Sequence, residues 1–460
     1  MGAGICGLAG AMMLSRDGHE VTVLERDPAP VPASPEEAWE DWDRDGVTQF
    51  RQPHWLLPSG RAVLEEELPD VYEALLAEAL SFSPLDLLPP WIADRAPRDG
   101  DDRFMTITGR RTTLEQVVAR AAENEPHLEV RRGIAAGDVL TTQIDGHVHV
   151  TGVRTADGED LRADLVVDAM GRRSPVPKWL AAAGAPPVHD EAEDIGFIYY
   201  TRFFRGEQLP QACGSLLTPI GSFSVLTLPA DKTTWSITLL IAGGDRPLKR
   251  LRDADRWTAV LAACPMQARW LEGQPITGIR SMGGIVDRYR RLMAGGQPVA
   301  TGLALVADAC ASTNPSVGRG IALGLLHARS LRDVVREQLD DPRAFALAWD
   351  AATDAELTPW YRATVQQDRT RMHQIEAIRN GLAPPPPVDA DAAILAALPL
   401  AAIQDADMFR VMLDLRSCIG SPTAVLERPG LAKRVLELAA ASAPPPLAGP
   451  NREELLALLA

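Results

Sequence analysis

The sequence predicts an α/β chain built from a nucleotide-binding layer of parallel strands and helices, an inserted and mostly antiparallel sheet, and a helical C-terminal extension. Three observations carry this. A glycine-rich turn opens the chain and leads through a helix into an apolar strand. Strands of period two fill the middle, from Gly196 to Gly244, and an apolar strand followed by a long helix returns between Gly302 and Gln338. At 460 residues the chain exceeds what one hydrophobic core usually holds, so two associated domains are expected.

The elements follow in order. Gly2 to Asp27 reads as turn, helix and then the strand Val21 to Leu24 ending at Glu25, which is the second part of a βαβ unit. Only Met1 precedes Gly2, whereas such a turn normally follows an apolar strand; roughly five to ten further Val- and Ile-rich residues are expected in the functional protein. A proline-rich acidic stretch, Pro28 to Gly46, reads as irregular. A helical pattern runs through Arg61 to Leu80, another from Thr112 to Glu123, and strands are expected at Leu128 to Val130, Val148 to Val153 and Leu165 to Val167. The alternating strands Ile198 to Phe204, Phe223 to Leu228 and Trp235 to Ile241 mark the inserted sheet. The strand Leu303 to Ala307 and a helix from Gly318 to Gln338 complete the first layer, and Pro384 to Pro387 reads as a stiff spacer in an Ala/Leu-rich helical tail. The expected divisions are 1–180 and 296–340 for the nucleotide-binding domain, 181–295 for the substrate domain and 341–460 for the helical region.

Three strings carry chemistry. GAGICGLAG places Gly2, Gly4 and Gly7 in G-x-G-x-x-G spacing: one glycine for the tight turn, one for close approach of a diphosphate, one for helix–strand packing. The helix start supplies N–H donors, so a chain of net charge −16 can hold a diphosphate locally. Glu25 stands eighteen positions after Gly7, at a strand end, where its carboxylate can accept hydrogen bonds from ribose hydroxyls. The pattern is Rossmann-like. DLVVDAMGRRSPVPKWL, Asp164 to Leu180, joins a buried strand to a basic turn. GLALVADACASTNPSVGRGIALGLLHA, Gly302 to Ala328, sets Asp308 at a strand end and Gly318 and Gly320 at a helix start, an arrangement suited to a ribityl chain and to the charge of a reduced flavin.

In this order and at these separations the three strings resemble the FAD-dependent monooxygenases of the para-hydroxybenzoate hydroxylase type, with the nearest likeness to the actinobacterial epoxidase and hydroxylase branch of secondary metabolism. FRQPHWLLPSGRAVLEEELP, Phe50 to Pro69, and GRRTTLEQVV, Gly109 to Val118, strengthen the likeness, which spans roughly Gly2 to Gln338. The resemblance implies that Glu25, with Arg26 beside it, takes the adenosine ribose, that Arg51 and Arg111 lie along the FAD phosphates, that Asp308 holds the ribityl chain, and that Pro315, Gly318 and Gly320 sit under the flavin. His54 reads as structural. Two departures stand out. Ala307 precedes Asp308 where the family commonly has glycine, and Asp168, Ala169, Met170, Gly171 replace its Asp-Gly. The implied reaction inserts one oxygen atom from O₂ into a small hydrophobic substrate, by hydroxylation or epoxidation, through a flavin C4a-hydroperoxide with NAD(P)H as reductant.

No acid/base triad is required by such chemistry, and no catalytic side chain is singled out. Flavin-dependent halogenases would need an early lysine and a W-x-W-x-I-P string, but the first lysine is Lys178 and no W-x-W occurs. An FAD-linked reductase or dehydrogenase of an apolar substrate, and a non-catalytic flavin fold, remain alternatives. Composition excludes other classes: 62 acidic against 46 basic residues disfavour nucleic acid, and no apolar run reaches the length of a membrane span. A cytoplasmic location is expected. Cys6, Cys213, Cys264, Cys310 and Cys418 show no C-x-x-C spacing, so neither a disulfide framework nor a metal site is expected.

Overall fold

The computed structural model describes residues 1–212, 214–442 and 448–460, which leaves Cys213 outside the described residues. The parallel layer consists of two strand pairs. Val21–Glu25 pairs in register with Leu128–Arg132, and Val166–Asp168 pairs with Leu303–Leu305. Met1 and Gly2 stitch the pairs together: the Met1 amine donates to Val167 O (2.8 Å), Ala169 N donates to Met1 O (2.9 Å), and Gly2 N donates to Leu24 O (2.8 Å). Helices Ile5–Arg16 and Gly320–Gln338 cross on this layer through small residues. A Cβ on Gly324 would lie 2.4 Å from Cys6 Sγ, and one on Gly60 would lie 2.7 Å from the Ala322 Cα, so contact this close requires glycine.

The inserted sheet is antiparallel, in the order Leu217–Ile220, Phe223–Pro229, Thr234–Ala242, Phe197–Arg205, Gln274–Pro275, with Arg280–Gly283 also on Phe197–Arg205. Its period-two pattern has a clear physical meaning. Phe223, Val225, Ile237, Leu239 and Ile241 pack on one face against Trp257, Val260 and Trp270, whereas Tyr199, Leu226, Leu228 and Thr238 turn to the other face. A third small sheet, His189–Glu193, Asp287–Arg291 and Ala311–Ser312, joins the insertion to the parallel layer.

Several boundaries differ from the sequence expectation. The pattern Arg61 to Leu80 resolves into helices Pro58–Glu67 and Pro69–Glu78, because Pro69 cannot continue the first helix but can begin the second. The stretch after Pro28 contains a short helix, Pro35–Glu40, capped by the Ser34 side chain. The return strand stops at Leu305, since Ala307 adopts a left-handed φ of 53°, and the long helix starts at Gly320 because Gly318 is left-handed as well. The C-terminal helices are no loose appendage. Trp360, Val365, Ile394, Phe409 and Leu413 share one core with Val139, Val150 and Leu303. The last helix, Arg452–Leu458, is fixed by Arg452 paired with the fully buried Asp245 (2.7 Å). Pro384 to Pro387 are exposed and outside regular structure.

Arg110 and Asp231 clamp the two layers. Asp231 accepts from the Arg110 backbone N–H (2.7 Å), from Arg110 Nε (2.9 Å) and from Thr113 Oγ1 (3.0 Å), and both charged side chains are fully buried. Glu36, which is half-exposed, also pairs with Arg110, so removal of Asp231 leaves the buried guanidinium with this one weaker counter-charge. Asp231→Ala is therefore expected to lower stability by about 3 kcal/mol in urea unfolding, through the hydrogen bonds lost by Arg110 and Thr113; a loss below about 1 kcal/mol, the value of an exposed pair, would show that the clamp is not needed.

Candidate functional site

A continuous cavity of about 470 Å³ is lined by both layers and by the C-terminal helices. At one end the glycine turn forms the wall. Gly2 is left-handed (φ 98°), and a Cβ on Gly7 would lie 2.4 Å from Gly2 O, so neither position accepts a side chain. A Cβ on Gly4 would meet nothing within 4 Å: this glycine faces open space. Gly4 caps helix Ile5–Arg16 without a side-chain bond, which leaves the first helical N–H groups to face the cavity.

Behind the turn lies a buried chain of alternating charge. Glu25 accepts from Ala3 N (3.0 Å) and Arg44 through Oε2, and from Asp27 N (2.9 Å) through Oε1. Arg44 also donates to Ala3 O (2.9 Å) and to Glu115 (2.8 Å), and Glu115 in turn accepts from Arg111 Nε (2.7 Å). Arg111 Nη1 then lies 2.7 Å from His54 Nε2, while His54 Nδ1 faces Gln52 O (3.1 Å). Because Arg111 can only donate, His54 Nε2 is the acceptor and Nδ1 carries the proton. Burial, and then the Arg111 charge, hold this imidazole neutral, well below the usual histidine range.

Of the residues expected to bind the cofactor, Gly2, Gly4, Gly7, Glu25, Arg26, Arg111, Asp308, Pro315, Gly318 and Gly320 all line this cavity. Arg51 does not. Its guanidinium is taken up by Trp39 O, Trp42 O (2.8 Å) and Asp43 (3.2 Å), because the short helix Pro35–Glu40 and the turn after it present those acceptors. Arg44 stands in the wall where Arg51 was expected. Arg172 and Arg173, from the basic turn of the second string, also line the cavity, whereas Asp168 is fully buried and engaged by Ser174 Oγ and Met170 N.

Asp308 accepts no hydrogen bond from any described residue, faces the cavity, and lies near the start of helix Gly320–Gln338, where a Cβ on Gly320 would be 3.9 Å from Oδ1. Burial raises its carboxyl, against the opposing pull of Arg111 and Arg172. The turn before it is held by His327, whose Nδ1 accepts from Ala307 N (3.1 Å) and whose ring stacks on Trp349 at 4.3 Å. Cys6 lines the cavity too, but burial pushes its thiol up to about 12, and Cys310 likewise, so neither is a reactive thiolate.

The other end is apolar. Leu217, Leu226, Leu228 and Met282 come from the sheet and Leu413 from helix Ala406–Arg416, with Tyr199, Thr238, Gln367, Arg416 and Ser417 between them. The C-terminal contributions carry no local sequence signal. Under the Pro315–Gly318 segment, the Tyr199 hydroxyl donates to Asn314 Oδ1, Asn314 Nδ2 donates to Asp368 (3.1 Å), Ser316 Oγ donates to Asp368 (2.6 Å), and Asn314 N donates to Asp287. Asp287 Oδ2 is buried without a partner. Burial raises Asp287 to about 7 and Asp368 to about 6.

No protein-family model matches the chain. It is 27% identical over 373 residues to Protein Rv3254 of Mycobacterium tuberculosis, covering 73% of this chain and 72% of that protein. Among solved structures it resembles pqsL, a probable FAD-dependent monooxygenase from Pseudomonas aeruginosa (19% identity, TM-score 0.61, 82% of this chain and 95% of that one). It is also similar to the flavin-dependent brominase Bmp2 (15% identity, TM-score 0.62, 96% and 98%). The chain shares the fold of these proteins, and consists of a layer of parallel strands and helices, an inserted antiparallel sheet and C-terminal helices. Among the described residues no helix is long and apolar enough to cross a membrane.

Two expectations follow from this geometry. Ala307 occupies a left-handed conformation that costs an L-residue about 1–2 kcal/mol, so Ala307→Gly should raise stability in urea unfolding by up to about 1 kcal/mol after the entropy of the unfolded glycine is counted; a loss would mean that the alanine methyl contributes packing that outweighs the strain. Asp287 and Asp368 hold protons more tightly in the fold than in the unfolded chain, so they reduce stability as pH rises from about 4 to about 7. Asp287→Asn keeps an acceptor for Asn314 N and cannot ionise. The unsubstituted chain should lose more thermal stability than this variant between about pH 5 and about pH 8, and equal losses would refute the assignment.

Proposed function

We propose that the chain is an FAD-dependent monooxygenase that inserts one oxygen atom from O₂ into a hydrophobic organic substrate, by hydroxylation or epoxidation, with NAD(P)H as reductant. The observation that carries this is the continuity of the cavity: a phosphate cradle, an unpartnered carboxylate at Asp308 and an apolar chamber share one space. The residues fit the cofactor. Gly2, Gly4, Gly7 and the N–H groups at Ile5 would hold the diphosphate, and Arg111 would lie along it. Glu25, whose Oε1 accepts only one bond, would take a ribose hydroxyl beside Arg26, and Asp308 would take the ribityl chain. Pro315, Gly318 and Gly320 would line the flavin, with the helix start at Gly320 nearby. When bound, FAD supplies the oxygen-transfer chemistry, one atom of O₂ going to the product and the other to water.

The chain's own residues supply orientation and dryness. Leu217, Leu226, Leu228, Met282 and Leu413 exclude water from the substrate, which protects reactive species from premature loss. Tyr199 is committed as a donor to Asn314, and burial raises its phenol well above its ordinary value, so it stays a neutral wall group. Among the described residues no lysine lines the cavity, which sets it apart from the halogenating arrangement expected in that branch of the fold.

Acid precipitation of the purified, FAD-treated chain should release the flavin, and Asp308→Ala should weaken FAD affinity by about 1.5–3 kcal/mol through loss of a charged acceptor. With NAD(P)H, ¹⁸O₂ and a panel of polycyclic and polyene compounds, a product carrying one ¹⁸O atom is expected. A product differing only by two hydrogens would establish the dehydrogenase reading instead, and absence of flavin bands after FAD addition would establish a non-catalytic fold.

A further inference from the structure

Among the charged residues lining the cavity, Arg416 is the one set in the apolar chamber. It ends helix Ala406–Arg416 and stands in the wall with Leu413, Leu217 and Leu226. Its guanidinium makes one hydrogen bond, to Ser215 Oγ (3.2 Å), and forms no ion pair among the described residues, although the chain carries 62 carboxylates against 46 basic groups. The charge that acts on it, Arg319, has the same sign. Arg319, by contrast, is satisfied: it donates to Thr364 Oγ1 (2.8 Å) and Leu415 O (3.1 Å) and lies 5.1 Å from the Trp360 ring. Burial first, and Arg319 second, make the charge on Arg416 costly, and no acid offsets them.

Arg416 is half-buried, and a guanidinium held against an apolar wall without a counter-ion is unfavourable, while its planar fork of donors matches a carboxylate in two parallel bonds. The other arginines of the cavity stand elsewhere. Arg44 and Arg111 are bound into the Glu25–Glu115 chain, and Arg26, Arg172 and Arg173 belong to the segments around the glycine turn and the Asp168 strand end. Beside Arg416 are Ser215 and Gln367, both exposed, and Ser417, so this part of the wall borders solvent and offers further hydrogen-bonding groups.

From this placement we infer that the substrate is an apolar acid, whose carboxylate pairs with Arg416 while its hydrocarbon body fills the chamber of Leu217, Leu226, Leu228, Met282 and Leu413. Arg416 is then a specificity-determining residue. The inference rests on the monooxygenase reading for the identity of the chamber, but its test does not depend on turnover.

The FAD-treated full chain is titrated calorimetrically with matched pairs: naphthalene-2-carboxylate against its carboxamide, and anthracene-2-carboxylate against its carboxamide. At least one acid should bind about tenfold or more tightly than its amide, the scale of a hydrogen-bonded charge pair. Arg416→Gln should reduce that ratio to near one without changing amide affinity, and Arg416→Lys should restore part of it. Thermal unfolding of both variants shows whether they fold. Equal binding of acid and amide, no binding of either acid, or an unchanged preference in a folded Arg416→Gln variant would overturn the inference. So would a variant that loses NADPH affinity while keeping the acid preference, since Arg416 would then serve the reductant. If the chain retains no FAD, the monooxygenase reading fails while the acid–amide ratio is still read on the same sample.

Discussion

Glu115 is the constraint on which the glycine-turn end of the cavity depends. Its carboxylate is fully buried and shared between Arg44 and Arg111, and those two arginines reach the glycine turn through Ala3 O, the strand end through Glu25, and the neutral His54. Glu25, Glu115 and Asp27 (3.6 Å from Arg44) surround the two cations, each of which would be costly alone. Low dielectric strengthens these paired hydrogen bonds, which hold every member except the unpartnered Arg44 Nε. The wall that would meet a diphosphate is therefore shaped before any ligand arrives.

The same short segment also joins the layers. Arg110 and Arg111 are adjacent and face opposite ways, Arg110 toward Asp231 of the sheet and Arg111 toward the cavity. A strand, Thr106–Arg110, ends where a helix, Arg111–Glu123, begins, and this change of direction turns consecutive side chains apart. Displacement of the inserted sheet would thus be felt one residue away from the cofactor wall.

Much of this was legible in the sequence where the signal is local. The glycine spacing, Glu25 and Asp308 at strand ends, and the alternation of the middle strands each depend on residues a few positions apart, and those residues meet in one cavity. Arg44 was missed because it lies in a stretch without periodicity, although a lone base within Asp41 to Asp45 is a signal of sorts. Arg51 was misplaced for the related reason that a six-residue helix, Pro35–Glu40, supplied acceptors that no pattern announced. The contributions of Leu413, Arg416 and Ser417 are set by how the C-terminal helices pack onto a core formed hundreds of residues earlier, and a linear pattern holds no record of that.

The chain order of the cavity wall has a consequence for biosynthesis. The cradle is complete in sequence by Gly320, and the sheet face by Met282, but the wall bearing Leu413 and Arg416 emerges from the ribosome only about a hundred residues after the last glycine of the cradle. During that interval the cavity of a nascent chain lacks its C-terminal wall. Completion of the glycine-turn end and closure of the apolar end are thereby separated in time, and the C-terminal helices fold against a surface formed before them.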